Sequence, residues 1–220
     1  MFTDSFTDRE YPADPYPGRR PATSFVHVDG VGYPLTPVWT AAELDAWLAE
    51  RDAPPLAGRT PVLAYGSNAC PSKLTWLRDN LGLTGPVVAL RARCVGYATV
   101  WAAGLRARDG QRPWTLVPMP DVVERHFVLL TTEDQLRALD VCEGADPGTD
   151  DPRYRRERLP DDVVTVDGPA RTAPVQAYFG CHPDRLPALV DEAPARATKG
   201  MLLASDARKM PFVAPRTTPP

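Results

Sequence analysis

The residues best suited to chemistry stand together in the stretch Pro61–Leu74, PVLAYGSNACPSKL. Val62, Leu63, Ala64 and Tyr65 form a short apolar run of the kind that makes a buried strand. Gly66 then frees the backbone to turn, and Ser67 and Asn68 supply small polar side chains suited to a turn or a helix cap. A strand that enters a helix through such a turn leaves several backbone N–H groups pointing into one small space. That nest binds an anion, and the positive end of the following helix adds to the attraction. It is not a nucleotide loop, because both the Walker spacing with its lysine and G-x-G-x-x-G are absent. Nor is it a hydrolase elbow, since Ser67 lacks the G-x-S-x-G frame. Cys70 stands at the expected helix start, where a thiolate is stabilised. A cysteine nucleophile needs a histidine, however, and only His27, His126 and His182 are available. Thiol or serine hydrolysis through Cys70 or Ser67 is therefore the weakest chemical reading.

The elements that must hold this turn can be read on either side of it. Pro71 suits the first turn of a helix, and Leu74, Leu77 and Leu81 give the stretch 71–81 one apolar face. Upstream, residues 1–23 are dense in Pro, Asp, Tyr and Arg without periodicity and predict a flexible arm. Residues 24–60 form an N-terminal extension with a hairpin turning at Asp29-Gly30 and a short helix. That helix opens on a capping box, Thr40 with Glu43. Downstream, Pro86–Trp101, Trp114–Pro118 and Val122–Leu130 read as separate strands, the second stopped by its proline. Thr132 with Gln135 caps a helix that ends at Gly144. Tyr154–Leu159, Val163–Val166 and Ala173–Phe179 are short strands, and a short helix is expected near Arg185–Asp191. Residues 182–220 are a Pro/Ala-rich C-terminal extension. Strands outnumber single helices, which predicts an α+β domain with a mixed sheet rolled toward a small barrel.

Composition bounds the function. Of 220 residues, 43% are hydrophobic and 24% charged, as in ordinary globular proteins, and the net charge is −3. No basic surface for nucleic acid or membrane is implied. No apolar run approaches the roughly 20 residues that span a bilayer. The acidic N-terminus has no apolar core of a secretory signal, so a cytoplasmic location is expected. Cys70, Cys94, Cys142 and Cys181 have no C-x-x-C or zinc spacing and read as free thiols, with no metal expected.

Tyr65-Gly66-Ser67-Asn68 at the end of an apolar strand, with Glu143-Gly144 about one small domain downstream, resembles the paired signature of the γ-glutamylcyclotransferase-like superfamily. The resemblance covers about residues 61–181, which would be the catalytic domain. It implies the α+β fold already expected and no cofactor. It also implies a small γ-glutamyl amide as substrate, and it leaves the oligomeric state open. Tyr65, Gly66, Ser67, Asn68 and Ala69 would hold the substrate, Tyr154 would wall it, and Glu143 would be the general acid and base. In this superfamily the substrate's own α-amine attacks its side-chain amide and releases 5-oxoproline. Glu143 suits the role locally as well, because the carboxyl-terminal end of a helix disfavours a fixed negative charge. The sequence departs from the pattern in Ala69-Cys70, where members commonly carry a leucine, and in Arg125-His126, where a glycine is common. It also has no tyrosine beyond Tyr178. The alternative to catalysis is a binding module that keeps the nest for a small carboxylate.

Overall fold

In a computed structural model, residues 1–170, 174–190, 193–194, 196 and 208–209 are described. The chain runs β1 (Phe6–Thr7), β2 (Phe25–Val28), β3 (Val31–Pro34), α1 (Ala41–Ala49), β4 (Thr60–Ala64), α2 (Pro71–Leu81), β5 (Val87–Trp101), β6 (Trp114–Thr131) and α3 (Glu133–Glu143). It continues through β7 (Tyr154–Arg158), β8 (Val164–Val166), β9 (Gln176–Gly180), β10 (Ala188–Val190), β11 (Ala193–Pro194) and β12 (Arg208–Lys209). The architecture is α+β. One large sheet runs β1-β3-β2-β5-β6-β4-β9-β7, with β8 also on β5, and β10 pairs β11 and β12 separately. The large sheet is mixed, because β4 and β9 are parallel while the other pairs are antiparallel.

The sheet does not close into the expected barrel. It curls until the end of β9 meets the start of β6, where Gly180 N donates to Thr115 Oγ1 at 3.0 Å. Side-chain bonds, rather than a ladder, complete the turn.

Both faces of the sheet are covered, which explains why its central strands read as unbroken apolar runs. Along β4, Val62 and Ala64 join the cluster with Leu74 and Leu77 of α2 and Leu139 of α3. Leu63 points the other way, to the cluster with Leu44 and Leu48 of α1. This is the two-residue alternation of a strand. Leu74 and Leu77 are almost wholly buried, each worth about 1.5–3 kcal/mol. Both capping boxes form: Thr40 Oγ1 accepts from Glu43 N, and Thr132 Oγ1 accepts from Gln135 N.

Three further sequence expectations need correction. Residues 1–23 are not a free arm. Phe6 is buried in the slot that Gly32 leaves beneath it, edge-on to Phe25, and Phe2 packs edge-on to Tyr33 and Trp47. Pro118 does not end a strand, since β6 continues through it. The register shifts opposite Gly96, which sits at φ 79°, so the prolines fall at a bulge where ladder bonds are interrupted. Residues 182–190 hold one 3₁₀ turn, Pro183–Arg185, and strand β10 in place of a helix; Asp191 lies outside the described residues. The start of the Ala173–Phe179 strand and most of the C-terminal extension also lie outside them. Among the described residues no helix is long and apolar enough to cross a membrane.

Candidate functional site

Six elements converge on one cavity of about 420 Å³. β4 delivers the chain into the turn at Tyr65–Asn68, and α2 leads it away. The C-terminal turn of α3 brings Glu143, β7 brings Tyr154, β9 brings Tyr178, and the root of β6 brings Trp114. The long β5–β6 ribbon carries the 102–113 connection over the mouth, so Arg106 and Arg108 also line it.

Asp140 fixes α3 so that Glu143 faces the turn. It is buried, accepts Arg156 Nε and Nη2 at 2.8 and 2.9 Å, and accepts the Tyr178 hydroxyl at 2.7 Å. Three residues further along a helix is the same face, so the carboxyl of Glu143 emerges beside this anchor. Gly144 then ends α3 in the left-handed conformation at φ 65°, with the Arg153 side chain packed against its α-carbon and Nη2 donating to Cys142 O at 2.9 Å. A β-carbon at Gly144 would meet that guanidinium at 2.5 Å. Glu143 Oε1 accepts Asn68 Nδ2 at 2.8 Å, which joins the two halves of the motif across the cavity. Asn68 Oδ1 is buried without a partner among the described residues.

The turn itself is a 3₁₀ segment, Ser67–Ala69, closed by Cys70 N donating to Ser67 O. Among the described residues, the backbone N–H groups of Gly66, Ser67 and Asn68 donate to no protein acceptor. Three adjacent unfilled donors at the edge of a cavity are what an anion nest requires.

The aromatic wall is rigid. Tyr65 donates to Tyr178 O at 2.7 Å and Tyr154 to Trp114 O at 2.9 Å. Burial pushes both phenols well above their usual range, so they stay protonated as donors. Tyr154 therefore presents its ring to the cavity while its hydroxyl ties β7 to β6.

Of the seven residues singled out in the sequence, Tyr65, Gly66, Ser67, Asn68, Glu143 and Tyr154 line the cavity. Ala69 does not; it is fully buried against α2, and only its place in the turn matters. The departure at Cys70 also lies off the wall, since the thiol donates to Tyr11 O beneath the N-terminal segment. The three histidines are engaged elsewhere: His27 with Thr75, His126 with Glu124, and His182 with Asp151. No described group of three His, Cys, Asp or Glu side chains is placed to hold a metal.

Sequence reasoning missed the charge of the lining. Lys73, Arg106, Arg108, Arg153 and Arg185 line the cavity against one carboxylate, Glu143. Lys73 is buried, with Nζ 3.3 Å from Cys142 Sγ and 3.7 Å from the Trp76 ring, and burial lowers its pKa. These cations come from α2, the 102–113 connection, β7's approach and the 3₁₀ turn, so no local run announces them. It missed Tyr16 as well, because nothing in a proline-rich arm marks one tyrosine as half-buried on a cavity wall.

No family model and no curated protein matches this chain. Among solved structures it is similar to the solution structure of At5g39720.1 from Arabidopsis thaliana, at 20% identity over 62% of this chain and 72% of that one, with a TM-score of 0.39.

Proposed function

We propose that the cavity binds a small γ-glutamyl amide and releases 5-oxoproline from it. The observation that carries this reading is the 2.8 Å bond between Asn68 and Glu143, which sets a carboxylate beside a nest of unfilled N–H donors. Such a nest suits the substrate's carboxylate or a developing oxyanion. Held curled there, the α-amine attacks its own γ-carbonyl carbon and the bond to the leaving amine breaks. Correct orientation of such an attack is worth about 7–11 kcal/mol of barrier. Glu143 takes in turn the two protons that the α-ammonium loses in becoming the ring N–H and returns both to the departing nitrogen, which leaves as an ammonium, so the step balances without a cofactor.

The cationic lining refines the substrate. Five cations line the cavity with one carboxylate, and Asp109 pairs with two of them, so the lining stays net positive; this favours a leaving amine that itself carries a carboxylate, such as an amino acid, and opposes a polyamine. The test is incubation of the full chain with γ-glutamyl amino acids and γ-glutamyl polyamines, following 5-oxoproline and the free amine together. Turnover of the acidic substrates supports the reading. Tight binding without 5-oxoproline makes the protein a carboxylate-binding module, and neither turnover nor binding removes both.

A further inference from the structure

Four tyrosines line the cavity, and one of them differs from the rest. Tyr65, Tyr154 and Tyr178 each donate their hydroxyl proton to a protein acceptor. The Tyr16 hydroxyl instead accepts Trp114 N–H at 3.1 Å. Among the described residues nothing receives its own proton. That hydroxyl stands over the candidate turn, 2.7 Å from where a β-carbon on Gly66 would lie. Gly66 has φ −98°, so approach by Tyr16, not a left-handed backbone, is what requires a glycine there.

The segment carrying Tyr16 is strapped down on both sides of the turn. Tyr11 O accepts Ser72 Oγ at 2.6 Å, Asp14 accepts Gln111, Tyr16 N donates to Gln111 Oε1, and Arg20 Nη1 donates to Tyr65 O at 3.3 Å. Gly18 packs so closely on Cys70 that a β-carbon would meet its sulfur at 2.7 Å. The Tyr16 ring lies edge-on to Trp114 at 5.5 Å, with the Arg106 guanidinium 4.3 Å from its centroid. With the strap in place the cavity still measures about 420 Å³, within the range of small-ligand sites. The strap walls the site and does not fill it.

We infer that Tyr16 is a substrate-binding residue: it roofs the Tyr65–Asn68 turn and donates its free proton to an oxygen of the glutamyl group held there. The inference rests on the γ-glutamyl reading of the cavity. Tyr16→Phe removes that donor and keeps the ring. A lost bond to a charged group should raise KM and the dissociation constant about tenfold or more, with kcat within about threefold. A merely structural tyrosine would not give that split.

The experiment titrates wild type and Tyr16→Phe with γ-glutamylalanine, reading 5-oxoproline release and, separately, quenching of the cavity tryptophans. Weaker binding at preserved kcat supports the inference. Equal KM and equal binding overturn it and leave the cyclotransferase reading standing. Tyr16-dependent binding without any 5-oxoproline overturns that reading alone, and no binding by wild type overturns both. Should Tyr16→Phe fail to fold, 3-fluorotyrosine at position 16 in the otherwise native chain decides the matter by its ¹⁹F signal. A shift on saturation with γ-glutamylalanine supports the contact, and no shift on saturation refutes it.

Discussion

Asn68→Ala separates positioning from stability, because its two effects on folding oppose each other. The amide donates to Glu143 Oε1 at 2.8 Å, a bond to a charged group worth about 1.5–3 kcal/mol. The same side chain buries Oδ1 without a partner, a cost of about 1–3 kcal/mol that truncation removes. Stability should therefore change by no more than about 1 kcal/mol, or about 2–4 °C in Tm for a chain of this size. Activity has no such compensation. A carboxylate released from its donor no longer faces the substrate's amine, so 5-oxoproline release should fall about 10- to 100-fold, mainly in kcat. The assay pairs initial rates with a thermal melt. Unchanged turnover at unchanged Tm would refute the claim that this bond aims the carboxylate. A large loss of Tm would refute the claimed compensation.

Three further outcomes follow from the fold. Asp140→Ala strips Arg156 and Tyr178 of a buried shared partner; breaking such a pair costs about 3–5 kcal/mol, and a melt within 2–4 °C of wild type would contradict it. Phe6→Ala empties the slot over Gly32 at about 3–5 kcal/mol, whereas a free arm would give no change in Tm. His27 is buried and its pKa is held down to about 4, chiefly by burial. The unfolded chain thus binds the extra proton first, and stability present above about pH 6.5 is lost as pH falls toward 4, by about 2 kcal/mol at pH 5. His27→Gln should flatten that acid limb, and an equally steep limb in denaturant titrations would assign it elsewhere.

Much of this was legible because it is local. The apolar run, the Gly-Ser-Asn turn and Pro71 together spell a strand, a turn and a helix start, and α2 spans Pro71–Leu81. Thr40 with Glu43 and Thr132 with Gln135 mark caps by fixed spacing. Gly144 marks the end of α3 for a similar reason, since a glycine readily takes the left-handed conformation that caps the helix there. What was not legible depends on contacts across the chain. Phe6 and Tyr16 are aromatics without periodicity in a polar, proline-rich stretch, and Gly32 and Gly66, far along the sequence, make room for them. Pro118 reads as a stop unless the bulge opposite Gly96 is known. Where the sheet stays open, its seam is bridged by side-chain bonds at Thr115 and Tyr154 that no periodicity encodes. Arg156 belongs to a buried pair while Arg155 and Arg158 are solvated, and nothing within Arg153–Arg158 separates them.

The most direct test compares Glu143→Gln with Glu133→Gln, two changes in one helix. Glu143→Gln keeps an oxygen to accept Asn68 and removes the group proposed to move the proton. General acid–base groups contribute about 10²–10⁴-fold, so kcat for 5-oxoproline release should fall at least about 100-fold while γ-glutamylalanine still binds. Glu133 is exposed and pairs with Arg137 at 2.7 Å, so Glu133→Gln should match wild type. Equal activity in the two variants would contradict the assignment of proton transfer to Glu143.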